Sequence, residues 1–289
     1  MINDAHCHFF STPFFAPLGG DAAIAKLGWD APGTAEALSD RWVAELDRHQ
    51  VSRAALIASV PGDAASVAAA VSRHRHRFVG FFMVDPTRPD AVSTTTETIA
   101  GGGMRGICLF PAMHRYSVQD ERARWIFEVA AATPGTAVFV HCGVLSVGVR
   151  KKLGLPSPFD IRFGNPLDLH AIALTHPRTP IIIPHFGAGL FREALMVADL
   201  CPNVLLDTSS SNSWVKYVGL GLPAVFRQAL AVVGPDRLLF GSDSSFFPRG
   251  WVRDVHAQQS AALDEIGVTA DARDKIFGGN FDRVFPQMP

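Results

Sequence analysis

The chain has 289 residues, enough for one large α/β barrel or for two ordinary domains. Its 48% hydrophobic against 18% charged content supports a large buried core and excludes disorder. A formal net charge of -1 supplies no basic field for nucleic acid and no polybasic attraction to a membrane, which leaves a small molecule as the expected partner. Apolar stretches are broken within about ten residues by Pro, Gly or charge, short of the roughly 20 a membrane span needs, and no signal-peptide pattern is visible; a soluble, cytoplasmic protein is expected.

Residues 1–8 (MINDAHCH) read as a first strand on which His6 and His8, two apart, share one face. A long connection, 9–38, follows with the aromatic run FFSTPFF. A helical pattern from Asp40 to His49 leads to strand 54–60 (AALIASV), and another from Asp63 to His76 leads to strand 78–84 (FVGFFMV). His74 and His76, within Arg-His-Arg-His-Arg, read as solvated surface. Strand 104–110 (MRGICLF) precedes a helix from Glu121 to Thr133, strand 137–142 (AVFVHC) carries His141, and a second long connection spans 143–165. Asn165 before Pro166 sets a cap and a first-turn proline in helix-starting order, for a helix reaching His176. Strand 181–186 (IIIPHF) carries His185, and a helix from Leu190 to Leu200 follows. Strand 204–209 (VLLDTS), a helix from Pro223 to Val233 and strand 238–243 (LLFGSD), which ends on Asp243, complete the alternation. A final helix near Ala270 to Phe277 should end at Gly278-Gly279.

Eight strands alternating with helices predict an α/β fold, a (β/α)8 TIM barrel, with residues 1–289 as one domain and lid-like insertions at about 9–38 and 143–165. Both insertions follow a strand, so they belong at the carboxyl-end rim where barrel sites are built. Cys7, Cys108, Cys142 and Cys201 are too scattered for a disulfide framework or a zinc knuckle and read as free thiols. Strand alternation turns Cys7 and Cys142 away from the histidines.

His8, His141, His185 and Asp243 fall near the ends of four of the eight strands, with His6 beside His8, all at the same rim. Any one of these residues alone is better read as a satisfied polar cap. Together, imidazole and carboxylate form an ordinary donor set for a first-row divalent ion.

In DAHCHFF, RGICLFP, FVHCG, IIPHFG, LLFGSDSSF and IFGGNFDRVF, taken in order over nearly the whole chain, the sequence resembles the amidohydrolase superfamily of metal-dependent TIM-barrel enzymes. The resemblance is in particular to its amidohydrolase-related (amidohydrolase 2) branch of hydrolases and decarboxylases. It implies that His6, His8, His141 and Asp243 hold one divalent ion, zinc by default, with Mn2+, Fe2+ and Co2+ also suited. It implies His185 as the catalytic histidine, meeting substrate or activated water. Binuclear members carry a carboxylated lysine at the end of strand 4; here Cys108-Leu109-Phe110 stands in that place, so a one-metal site is expected. In the implied mechanism the ion lowers the pKa of water, Asp243 accepts the proton and His185 polarises the carbonyl under attack.

Candidates for substrate contact are Arg249, Phe9, Phe10, Trp214, Trp251 and Arg162, with Phe14, Phe15 and Ser211 beside them. Arg105, at the start of strand 4, is a weaker one. Arg249 could clamp a substrate carboxylate or equally pair with a nearby acid. Three functions fit. The first is hydrolysis of an amide, ester or lactone of a small, carboxylated or uncarboxylated compound. The second is non-oxidative decarboxylation of an aromatic or muconate-type acid with the same ligands. The third is a non-catalytic barrel that binds a ligand, ranked last because a binder has no need of a proton acceptor. The apolar composition leaves room for a homodimer.

Overall fold

Runs of Val, Ile, Leu, Phe and Ala, buried on both faces, form parallel strands in a computed structural model that describes residues 1–210 and 213–287. The strands are β1 (Ile2–Phe9), β2 (Val51–Ala58), β3 (Phe78–Val84), β4 (Met104–Leu109), β5 (Ala137–Val140), β6 (Ile181–Ile183), β7 (Val204–Asp207) and β8 (Leu238–Leu239). They pair in sequential order. Hydrogen bonds from Ala5 N to the Phe240 carbonyl (2.8 Å), Asp243 N to that of His6 (2.9 Å) and His8 N to that of Ser244 (2.7 Å) join β1 to the chain beyond β8. The sheet is thus a (β/α)8 barrel, as the alternation predicts.

Two apolar layers result. Outside the sheet, residues such as Phe9, Val138, Ile183 and Leu206 pack against the surrounding helices. Inside it, Ile57, Phe81, Phe139, Ile182 and Leu239 fill the barrel. Gly106, paired with Phe81 across β3 and β4, makes room for that ring: a Cβ there would lie 2.2 Å from Phe81 Cγ. Phe281, on the carboxyl-terminal helix Asn280–Val284, and Phe285, just past its end, join the inner layer. The expected helix end at Gly278-Gly279 is not found. Helix Ala270–Asp274 passes through a wide turn, Lys275–Gly279, directly into Asn280–Val284. Gly278 serves close approach instead, since a Cβ would meet the Met1 carbonyl oxygen at 2.9 Å.

Strand ends differ from the sequence expectation where the site begins. β5 stops at Val140 and β6 at Ile183; Pro184 cannot donate to a ladder, and His185 and Phe186 then take left-handed φ of 57° and 49°. The connections 9–38 and 143–165 meet each other over the rim. Phe14, Phe15, Ala23 and Ile24 pack on Val149 and Leu153, and the Lys26 ammonium donates to the Leu153 carbonyl at 3.0 Å. No helix among the described residues is long and apolar enough to cross a membrane.

Candidate metal centre at the barrel mouth

β1 slips register against β2 between Asp4 and Cys7. From within the slip onward, His6 and His8 line the cavity at the mouth, while Cys7 and Phe9 pack outward among the helices. His6 Nε2 and His8 Nε2 are 3.3 Å apart. Asp243 Oδ1 lies 3.2 Å from His8 Nε2 and 3.8 Å from His6 Nε2. One donor atom from each of the three residues falls within 4.8 Å of the others.

The far sides of both rings fix which nitrogen carries the proton. His6 Nδ1 is 2.7 Å from Asp207 Oδ2; an ionised carboxylate only accepts, so Nδ1 donates and Nε2 keeps its lone pair. The Ser59 hydroxyl donates to the Ile57 carbonyl at 3.0 Å, so its oxygen accepts from His8 Nδ1 at 2.7 Å and leaves the lone pair on His8 Nε2. Two lone pairs and a carboxylate oxygen therefore point together, an arrangement that is repulsive without a cation and matches the nitrogen and oxygen donors of first-row divalent ions. The local field agrees. Burial opposes a charge on His6, yet Asp207, with help from Asp243, raises its pKa. Burial likewise opposes a charge on Asp243, but the surrounding His8, His6 and His185 hold its carboxyl well below the ordinary range.

His141, one residue past β5, is buried and its Nδ1 has no hydrogen-bond partner among the described residues; its ring lies 5.3 Å from that of Phe110 and 5.2 Å from that of His185. It stands outside the cluster of three. His185 stacks on His6 at 4.9 Å, and its Nδ1 is 2.8 Å from Ser209 Oγ. Ser209 Oγ also lies 2.9 Å from His6 Nδ1. With the His6 side donating, the hydroxyl hydrogen goes to His185 Nδ1 and the His185 proton resides on Nε2. Burial and the neighbouring His6 push His185 down to about 4.

A cavity of about 640 Å³ opens over these groups, with Phe10, Phe14, Trp29, Phe110, Trp214, Phe246 and Arg249 among its lining. Of the proposed substrate contacts, Phe10, Trp214 and Arg249 lie there. Phe10 stacks on Phe14 at 3.8 Å, while Phe15 belongs to the packing between the two insertions. Three others do not line it. Phe9 is fully buried in the outer layer, because alternation from His8 turns it away. Trp251 is buried behind β1, donating from Nε1 to Asp4 Oδ2 at 2.7 Å. Arg162 is exposed and folds back on Asp160 at 2.6 Å. Arg105 donates to the Gly135 and Pro286 carbonyls instead, and Ser211 falls outside the described residues.

Sequence reasoning passed over Asp207, Ser59 and Ser209, and it gave Asp4 no role. Asp4 is completely buried and accepts from His6 N (2.9 Å), Ser242 N (3.0 Å), Ser242 Oγ (2.5 Å) and the Trp251 indole. It ties β1 to the segment after β8 on which Asp243 sits.

A parallel barrel that gathers imidazole and carboxylate groups at its carboxyl-end rim defines a class of barrel proteins built around that mouth. The chain belongs to the amidohydrolase family, whose profile matches residues 4–287. No curated protein matches the sequence. Among solved structures, an uncharacterised TIM-barrel protein from Bordetella bronchiseptica superposes with a TM-score of 0.69 at 22% identity, covering 99% of this chain and 98% of that one. A 5-carboxyvanillate decarboxylase from Novosphingobium aromaticivorans, with manganese and 3-methoxy-4-hydroxy-5-nitrobenzoic acid bound, gives 0.65 at 17%, covering 99% and 97%. A probable 2-pyrone-4,6-dicarboxylic acid hydrolase from Acinetobacter baumannii, with citric acid bound, gives 0.64 at 14%, covering 98% of each. The structural neighbours thus include a probable hydrolase and a decarboxylase.

Proposed function

We propose that the protein is a hydrolase acting with one divalent ion on an amide, ester or lactone of a small molecule. His6, His8 and Asp243 would hold the ion, with His141 as a fourth ligand. The observation that carries this reading is the convergence of His6 Nε2, His8 Nε2 and Asp243 Oδ1, each His supplied with a proton acceptor on its other edge. When bound, such an ion supplies Lewis acidity, polarising oxygen and making water acidic near neutral pH.

The remaining work falls to this chain's own groups. Asp243, kept anionic and partly open to the cavity, accepts a proton. His185, neutral and protonated on Nε2 through Ser209, donates a hydrogen bond to the oxygen on which charge develops. That donor suits carbonyl attack better than carbon protonation, because a neutral imidazole is a weak acid, and this favours hydrolysis over decarboxylation. The test is dialysis against a chelator followed by Mn2+ or Zn2+ addition, assayed on lactone, ester and amide panels, with Asp243→Asn alongside. Activity should vanish with the metal, return with it and be absent from the variant. Full turnover by Asp243→Asn, or carbon dioxide release from hydroxybenzoates without any hydrolysis, would overturn the assignment.

A further inference from the structure

The cavity carries a charge that the chain as a whole does not. Net charge is -1, yet the cavity-lining cations among the described residues are Arg150, Lys152, Lys216 and Arg249, and the lining acid is Asp243, which faces His6 and His8 as a proposed metal ligand. Several arginines elsewhere are matched: Arg41 pairs with Asp30, Arg73 with Asp40, Arg122 with Asp120 and Arg162 with Asp160. Among the described residues none of the four cavity cations forms such an ion pair. A concave surface with apolar walls and one sign of charge focuses potential onto whatever enters.

Two of the four flank one pair of stacked rings. Lys152 Nζ is 5.4 Å from the centre of Phe246 and 5.3 Å from that of Trp29, and Arg249 Cζ is 4.5 Å from the centre of Phe246. Trp29 and Phe246 stack on each other at 3.7 Å, so no ring slides between them. Lys152 comes from helix Gly148–Leu153 in the 143–165 connection. Arg249 follows β8 and donates to the Asp243 carbonyl at 3.3 Å and to Ser245 Oγ at 2.8 Å. Like charges thus flank one aromatic pair, Lys152 at the edge of the stack and Arg249 beside Phe246, one on the 143–165 connection and one anchored beside the proposed metal ligands.

We infer that Lys152 and Arg249 together bind a carboxylate of the substrate, and that the substrate is a compact apolar or aromatic acid whose carboxylate lies on the lid side of the bond that reacts. This rests on the hydrolase reading for the position of that bond, and it adds a lid residue to substrate recognition. Arg249 supplies a planar fork for carboxylate oxygens and Lys152 a point charge. The apolar body meets Phe10, Phe14 and Trp214.

The experiment is calorimetric titration of the full chain, first freed of metal by a chelator, with benzoate, isophthalate and the neutral control benzamide. Isophthalate and benzoate should bind about tenfold or more tightly than benzamide, with an advantage that shrinks as salt is raised. Lys152→Gln and Arg249→Gln should each remove most of that advantage and leave benzamide unchanged, while Lys152→Arg should keep it. Equal affinity for benzoate and benzamide, undetectable binding of both acids, or an unaltered preference in Lys152→Gln would overturn the inference. Mn2+ uptake is titrated separately, so failure to bind the ion sinks the hydrolase reading while the anion preference of the metal-free protein is still measured.

Discussion

Asp207 is the residue through which the metal reading is most directly exposed to test. It contacts His6 Nδ1 and accepts from Ser209 N at 2.7 Å, so one oxygen orients the ligand and the other holds the loop that carries Ser209. Replacing it by Asn keeps the shape and removes the charge, and the amide can present a donor where His6 needs an acceptor. Asp207→Asn should weaken Mn2+ binding about 10- to 100-fold, the usual cost of losing such an orienting partner, as measured by calorimetry. Unchanged affinity would mean that His6 is not a ligand. Asp207 was visible in VLLDTS as an acid ending an apolar strand at the histidine rim, a signal as good as that of Asp243. What sets its role is contact with a residue 201 positions away, which local pattern does not encode. Trp251 shows the converse: an aromatic in a rim loop looked like a substrate contact, but its indole N–H needed an acceptor and found buried Asp4.

At the scale of elements, strand existence and order were legible because apolar β-rich runs alternate with helical periodicity, and the chain order is the barrel order. Strand ends were not, because β6 stops just before the turn that carries His185 and β8 four residues short of Asp243, both residues sitting at positive φ. The insertions were legible as long connections, but their meeting was not, since it depends on Phe14 and Ile24 finding Val149 and Leu153. Gly241, between β8 and Asp243, is where strand packing and site geometry coincide. A Cβ there would lie 2.6 Å from Asp207 Oδ1 and 2.8 Å from both His6 Cβ and Ser209 Cβ. Those atoms belong to short, buried side chains that cannot swing aside. Gly241→Ala should therefore cost about 1–3 kcal/mol of stability as an overpacked site and also weaken Mn2+ binding, read by denaturant unfolding and metal titration on the same preparation. A variant with wild-type values for both would show that Asp207 and His6 have more freedom than their contacts imply.

For the whole molecule, the proposed ligands stand at the junction where the barrel closes. His6 and His8 lie on β1 and Asp243 just beyond β8, the two strands that sequence separates most and closure brings together. β8 is only two residues long, so Asp4, through Ser242 and Trp251, supplies much of the polar link there. An ion held by His6, His8 and Asp243 adds a cross-link between the same two segments and binds the folded chain far better than the unfolded one. At a free concentration of about 100 times its dissociation constant, a ligand specific to the folded state contributes about 2.7 kcal/mol. With roughly 2 °C of melting temperature per kcal/mol in a chain of this size, the midpoint should rise by about 5 °C. Scanning calorimetry of chelator-treated protein, with and without Mn2+ or Zn2+, measures the shift directly. His8→Ala should abolish the shift while still unfolding cooperatively, since His8 is partly exposed and its loss leaves the Asp4 link intact. A wild-type midpoint indifferent to both ions would mean that the convergence of His6, His8 and Asp243 serves barrel closure alone.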